Sequence, residues 1–153
     1  MPTLTAVNEF LTLFTRASKL LREAADEAMR GHGVRVGQNI ILEALWQQDG
    51  LTPGEVARRL HLSTPTVVNA ATRMEDAGLI TRERDNADAR LVRLYLTRRA
   101  RSVQTAIERE RAALEHRATS NLTDQERRNL HSALAKIIQT LSADHRAPSS
   151  PAD

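Results

Sequence analysis

The chain contains no cysteine. Disulfides, thiolate metal sites and cysteine-based redox sensing are therefore excluded. Aromatic residues amount to 3%, so an apolar share of 41% must build its core from Leu, Ile, Val and Ala. Glycine is sparse as well, with six in all, and none belongs to a phosphate-cradling loop. His32, His61, His116, His131 and His145 form neither an HExxH motif nor a pair at i, i+4, so they read as surface or capping residues. No nucleophile and base stand at a readable spacing. Neither an enzyme, a cofactor nor a metal is expected. No run approaches the roughly 18 apolar residues of a membrane span. The opening MPTLTAVNEFLTLF has no basic segment ahead of an apolar one. These absences lead to the expectation of a cytoplasmic protein with no membrane partner. At 153 residues one domain is the natural count.

What is present concentrates between Leu51 and Thr97. Thr52-Pro53-Gly54-Glu55 is a capping box with proline at the first helical position. Asp49-Gly50 ahead of it ends the preceding helix. The helix so opened runs to about Leu60, with Val56, Ala57 and Leu60 on one face, and His61-Leu62 is the turn. Ser63 is an N-cap for a second helix, and Pro65 falls in its first turn, where a missing N–H costs little.

In this second helix Val67, Ala70, Ala71, Met74 and Gly78 recur at helical spacing and define a buried stripe. The opposite face carries Thr64, Pro65, Thr66, Asn69, Thr72 and Arg73. Short polar residues at the leading end suit a helix entering a groove about 12 Å wide. Asn69 and Arg73 are the candidates for base edges, since Asn pairs bidentately with adenine and Arg with guanine. Taken alone, this face reads equally well as the solvated side of an amphipathic helix. The segment that follows tips the balance.

After Gly78, the stretches Leu79–Arg84 and Arg90–Leu96 alternate with period two around the polar set Asp85–Ala89. They predict a hairpin on which Arg82, Arg84, Arg90 and Arg93 cluster. Asp88 stands two residues from Arg90 near the tip and can hold its guanidinium in one rotamer for a narrow minor groove. The plain alternative is a surface ion pair worth about 0–1 kcal/mol. Two helices followed by a basic hairpin are the parts of a winged helix-turn-helix, which places one helix in the major groove of double-stranded DNA. The fold class expected is mostly α with a small β-hairpin wing. Ser63, Thr64, Pro65, Thr66, Asn69, Arg73, Arg82, Arg84, Asp88 and Arg90 are its candidate DNA-contacting residues.

Charge follows the same division. Basic residues number 22, nearly all Arg, against 19 acidic ones. Between Thr52 and Arg101 ten arginines meet six acidic residues, whereas the remainder holds twelve basic and thirteen acidic. The whole positive surplus lies where phosphate would be neutralised.

Leu60 through Gly78-Leu79-Ile80, then Arg82, Arg84, Asp88-Ala89-Arg90 and Leu96-Thr97, resemble the MarR family of bacterial transcription regulators. The motif covers about a third of the chain, and the helix layout matches across nearly all of it. Ala100 departs from the pattern, which commonly has Gly three residues after the Thr. The resemblance implies a homodimer, most often a repressor on a pseudo-palindromic operator, released in many relatives by a small aromatic or anionic effector. The pocket would lie between the dimer helices and the DNA lobe, with walls that the sequence does not identify. Lack of cysteine excludes the peroxide-sensing branch. No local histidine cluster of the zinc-sensing kind is present, nor a first-helix tryptophan of the urate-sensing kind. Trp46 reads as core. The alternatives are a ligand-independent, architectural DNA-binding protein and a metal-responsive regulator.

The flanks complete the reading. Val7, Phe10, Leu11, Phe14, Ala17, Leu21, Ala24, Ala25 and Ala28 form a helical stripe broken at Gly31-His32-Gly33. A helix is expected from about Gly37 to Gln47 and a long one from Thr97 to about Ser120. Thr123-Asp124-Gln125-Glu126 is a second capping box, opening a last helix with Leu130, Leu134, Ile137, Ile138 and Leu141. One domain over 1–145 is expected, with a DNA lobe at about 37–98, dimerisation helices at about 4–30 and 98–142, and a disordered tail at 146–153. A monomeric three-helix bundle is the competing use of the apolar flanks.

Overall fold

Local signals set the helix boundaries in the computed structural model, which describes residues 4–144. Side chains of residues 4–8, Val7 among them, and the expected tail at 146–153 lie outside the described part. Helix α1 spans Leu4–Arg30 and α2 spans Gln38–Gln47. Helix α3, Pro53–Leu60, starts on the expected capping box. The Thr52 N–H donates to Glu55 Oε2 at 2.8 Å and the Glu55 N–H to Thr52 Oγ1 at 3.2 Å. Helix α4 spans Thr64–Asp76, β1 Ile80–Arg84 and β2 Val92–Leu96. Helices α5, Arg98–Ser102, α6, Gln104–Ala118, and α7, Asp124–Asp144, follow.

The two strands pair antiparallel, Ile80 opposite Leu96 and Arg84 opposite Val92. Leu51 adds a bridge to Leu94, whose N–H donates to the Leu51 carbonyl at 2.8 Å. The chain divides into two compact units, one up to Glu115 and one from His116. In the first, Met29, Val34, Leu42, Leu45, Leu51, Val56, Val67, Met74, Leu79, Ile80, Leu94 and Ile107 are buried. Each such aliphatic side chain contributes about 1.5–3 kcal/mol on burial. Trp46 packs at the margin of this core, its indole N–H donating to the Ala100 carbonyl at 3.3 Å. The Ala100 methyl is itself fully buried, so the position that departs from the family pattern is used for packing.

Two boundaries differ from the sequence reading. The helix expected from Thr97 to Ser120 is broken at Val103. There the Arg99 carbonyl accepts both from the Ser102 hydroxyl at 2.8 Å and from the Val103 N–H at 3.2 Å. The second strand begins at Val92 rather than Arg90. Arg90 and Leu91 are drawn into the loop, because the Arg90 N–H donates to Asp88 Oδ1 at 3.1 Å and the Leu91 N–H to the Asp88 carbonyl at 3.0 Å.

Both α1 and α7 carry unburied apolar faces. Phe10, Leu11, Phe14, Leu20 and Leu21 are exposed on α1, and Leu130, Ile138 and Leu141 on α7. The Phe10 and Phe14 rings stack tilted at 5.9 Å.

Gly50 links α2 to the sheet at φ 76°, and a Cβ there would lie 2.9 Å from the Tyr95 ring. Gly50→Ala should therefore lower stability by about 1–3 kcal/mol, through left-handed strain and overpacking. Gly31 has open space around it, and Gly31→Ala should change stability little. Thermal unfolding of the two variants checks the contrast.

Candidate nucleic-acid interface

The turn between α3 and α4 is closed by His61 in the left-handed region, φ 54°, and by the Leu62 N–H donating to the Ala57 carbonyl at 3.0 Å. Ser63 then caps α4. Its Oγ accepts from the Thr66 N–H at 3.2 Å and lies 2.7 Å from the Thr66 hydroxyl. Val67, Ala71 and Met74 bury one face of α4, while Thr64, Pro65, Thr66, Asn69, Thr72 and Arg73 are exposed on the other. Among the described residues, neither the Asn69 amide nor the Arg73 guanidinium is hydrogen-bonded within the protein. Their donors and acceptors are available to an outside partner.

Helix α4 stops at Gly78, φ 74°. The Gly78 N–H donates to the Glu75 carbonyl at 3.0 Å and the Leu79 N–H to the Met74 carbonyl at 2.9 Å. This is the paired closure of a Schellman motif. It turns the chain directly into β1 and places the wing beside the recognition helix.

The four wing arginines have different surroundings. Arg82 is clasped to α4, its Nη2 donating to Glu75 Oε1 at 3.0 Å and its Nη1 to Thr72 Oγ1 at 3.2 Å. Its backbone N–H reaches Glu75 Oε2, also at 3.0 Å. The hydrogen bond from the Arg82 side chain, foremost, holds the Glu75 carboxyl below its ordinary pKa. Arg84 is exposed and has no protein partner among the described residues. Arg90 is 90% exposed at the loop yet oriented, with Nε and Nη2 donating to the two Asp88 oxygens at 3.0 and 3.1 Å. That fork lowers the Asp88 pKa and orients a guanidinium that stays in water. Arg93 points back into the protein. It pairs with Asp85 and donates from Nη1 to the Gly50 carbonyl at 2.9 Å. Glu55 lies 3.7 Å from the same guanidinium.

The sequence reading missed Asp85 and Glu75. Asp85 organises the loop, accepting from the Ala87 and Asp88 N–H groups at 2.8 and 2.9 Å while holding Arg93. An Asp at a strand end two residues before a free backbone N–H is an Asx-turn signal and could have been found. Glu75 carries no local signal, because its partner Arg82 is brought to it only when Gly78 reverses the chain.

An exposed polar face on the second helix of a helix-turn-helix, beside a hairpin that carries four arginines, makes up a winged helix-turn-helix. Comparison with known proteins agrees. Residues 37–92 match the model of the MarR family. The chain is 31% identical over 114 residues to the HTH-type transcriptional regulator TtmR of Methylorubrum extorquens, covering 73% of this chain and 56% of that protein. The present chain thus spans little more than half of that relative's length. It is 27% identical over 127 residues to the HTH-type transcriptional regulator MgrA of Staphylococcus aureus, covering 83% and 85%. A crystal structure of the S. aureus MepR–DNA complex superposes with a TM-score of 0.79 at 27% identity, covering 86% of this chain and 97% of that one. Residues 37–92 thus form a MarR-family domain.

The Asp85 carboxyl is pulled from its ordinary 3.8 to about 2, first by the Arg93 hydrogen bond and then by the Asp88 and Ala87 N–H groups. A carboxylate with a depressed folded pKa stabilises the fold above its unfolded value, and that stabilisation is lost as pH falls through the folded one. Acid unfolding should therefore steepen between pH 3.8 and about 2. Asp85→Asn should flatten that part of the profile while leaving a residue from Asp26, Glu55, Glu75 and Asp88, whose pKa values are also lowered. Chemical denaturation at stepped pH measures it.

Proposed function

We propose that this chain acts as a homodimeric repressor on a pseudo-palindromic DNA operator, and that a small aromatic or anionic ligand relieves repression. The observation that carries the DNA half is the pairing state of the interface. Asn69 and Arg73 are free on the exposed face of α4. Beside them the wing presents Arg84 free and Arg90 held at the loop. In this reading Ser63, Thr64, Pro65 and Thr66 form the leading end of the helix in the major groove. Arg90, oriented by Asp88, enters the minor groove. Arg82 serves the interface through Thr72 and Glu75 rather than as a free phosphate ligand. The MepR–DNA complex gives a precedent in a protein of this fold.

The exposed apolar faces of α1 and α7 support the dimer. Exposed apolar side chains repeated along one helix mark an interaction site, and two-fold symmetry would set two recognition helices about one DNA turn, roughly 34 Å, apart. One family-type domain over 1–145, with its DNA lobe at 37–98, fits this arrangement.

A cleft of about 890 Å³ supports the ligand half. Arg22, Glu23 and Asp26 of α1 form one wall, Arg35, Val36, Gly37, Gln38, Ile40 and Ile41 another, and Leu62, Thr66, Asn69, Ala70 and Arg73 the third. Arg35 faces Asp26 at 3.5 Å, whereas Arg22 and Arg73 have no partner among the described residues. An aromatic acid would find apolar floor at Ile40, Ile41 and Ala70 and cations at its rim. Because Asn69 and Arg73 line both the cleft and the exposed face, occupancy would compete directly with base contact.

Footprinting on the protein's own upstream region, with and without a panel of small aromatic acids, tests the whole reading. Asn69→Ala and Arg73→Ala should each cost about 1–3 kcal/mol on the protected site and far less on random DNA. Equal losses on both would leave only phosphate positioning for these residues. No protected site, or one unaffected by any acid, would remove the repressor or the ligand half respectively.

Phe14→Glu and Leu134→Glu should abolish assembly and operator binding together, since an unpaired charge in an apolar interface is costly. Sedimentation would report the mass, and a variant that stays dimeric and binds normally would place the interface elsewhere.

A further inference from the structure

We propose that Arg93 is a positioning residue for the wing: braced between Asp85 in the loop and Gly50 and Glu55 at the start of α3, it sets where the loop carries Arg90 against DNA and does not itself touch phosphate. The inference rests on the DNA-binding reading and adds a role that reading leaves unassigned.

A hairpin of two five-residue strands has little rigidity of its own. Its loop spans seven residues, 85–91, between those strands. The connection from the α3 end of the molecule to the loop is one continuous chain of polar contacts. The Gly50 carbonyl accepts from Arg93 Nη1 at 2.9 Å. Arg93 Nε donates to Asp85 Oδ2. The other Asp85 oxygen accepts from the Asp88 N–H at 2.9 Å. Asp88 in turn forks Arg90. Each link is local, and together they couple the arginine in solvent to the start of α3.

Charge and exposure argue against a direct phosphate role for Arg93. Its side chain is 29% exposed and Asp85's 14%, against 90% for Arg90. Two carboxylates, Asp85 and Glu55, face the one guanidinium. A phosphate approaching Arg93 would meet local charge that is already balanced and slightly negative. The same two carboxylates raise the Arg93 pKa, so the brace stays charged across the working pH range.

The test is binding of the full chain to a random-sequence duplex, titrated across salt, for wild type, Asp85→Asn, Arg93→Met, Arg90→Ala and the Arg93→Met/Arg90→Ala double variant. Asp85→Asn keeps an oxygen for the Ala87 and Asp88 N–H groups and removes the charge that holds Arg93. General electrostatics requires tighter binding when a negative charge near DNA is deleted. The brace requires the opposite sign: affinity about three- to tenfold weaker and a log K against log salt slope lower by about one unit. Arg93→Met should do the same, and the double variant should be no weaker than Arg90→Ala beyond about twofold, because both substitutions remove one contact. Tighter binding by Asp85→Asn, or losses that add in full in the double variant, would overturn the brace. So would unchanged binding by Asp85→Asn and Arg93→Met with only a lowered unfolding temperature. If Arg93→Met does not fold, the sign of the Asp85→Asn effect decides. Wild type that fails to bind any duplex would sink the DNA-binding reading itself, an outcome distinct from each of these.

Discussion

The closure at Gly78 is the constraint on which the rest of the DNA-facing lobe depends. The recognition helix, both wing strands and α5 meet there. Leu79 closes α4 through the Met74 carbonyl, and its own carbonyl accepts from the Thr97 N–H at 3.1 Å. The Thr97 hydroxyl donates to the Gly78 carbonyl at 2.6 Å, and its oxygen also accepts from the Ala100 N–H as the cap of α5. Arg99 reaches the Ala77 carbonyl as well. Left-handed geometry at position 78 is what lets a helix end at Asp76 and a strand begin at Ile80. A slower exit would move the wing away from the helix that Arg82 clasps.

Seen from this junction, the arginine surplus is an allocation rather than a uniform positive surface. Arg82 joins the wing to α4, Arg93 joins it to α3, and Arg101 binds Asp49 at 2.6 Å. Asp49 also accepts from the Leu96 N–H at 2.9 Å, so the pair secures the end of β2. These pairs add little net charge where they sit. Arg73, Arg84 and Arg90 remain outward, one on the helix and two on the wing. All ten arginines add to the long-range positive field of the lobe, whereas in the proposed DNA-binding reading the short-range contacts would fall to those whose donors are not already spent.

This division explains how far the sequence could be read. Capping boxes at Thr52 and Thr123, the Ser63 cap and the Gly78 stop were legible because each is settled within four residues. The Asp88–Arg90 fork was legible for the same reason. The identities of the partners of Arg82 and Arg93 were not. Glu75 is seven residues from Arg82, and Gly50 is 43 from Arg93. Along the chain the four wing arginines look alike, and only the folded hairpin separates those that brace from those that reach outward. The break at Val103 was also hidden, since neither Gly nor Pro marks it.

The proposed ligand response has a thermodynamic consequence that follows from shared residues. Asn69 and Arg73 belong to the cleft and to the exposed face of α4 at once. An anion that engages Arg73 in the cleft draws it from a base, and DNA that engages Arg73 withdraws a cation from the cleft. By linkage the two penalties are equal, so DNA must weaken ligand affinity by the factor by which ligand weakens DNA. Coupling of about 1–3 kcal/mol is the usual range, and it is close to the cost of losing one bidentate base contact. Competition for a single arginine is thus large enough to account for release without a change in the relative position of the helices. A ligand bound at the apolar end of the cleft, touching neither Asn69 nor Arg73, would have no differential affinity for free and DNA-bound protein through this route and would shift nothing however tightly it bound.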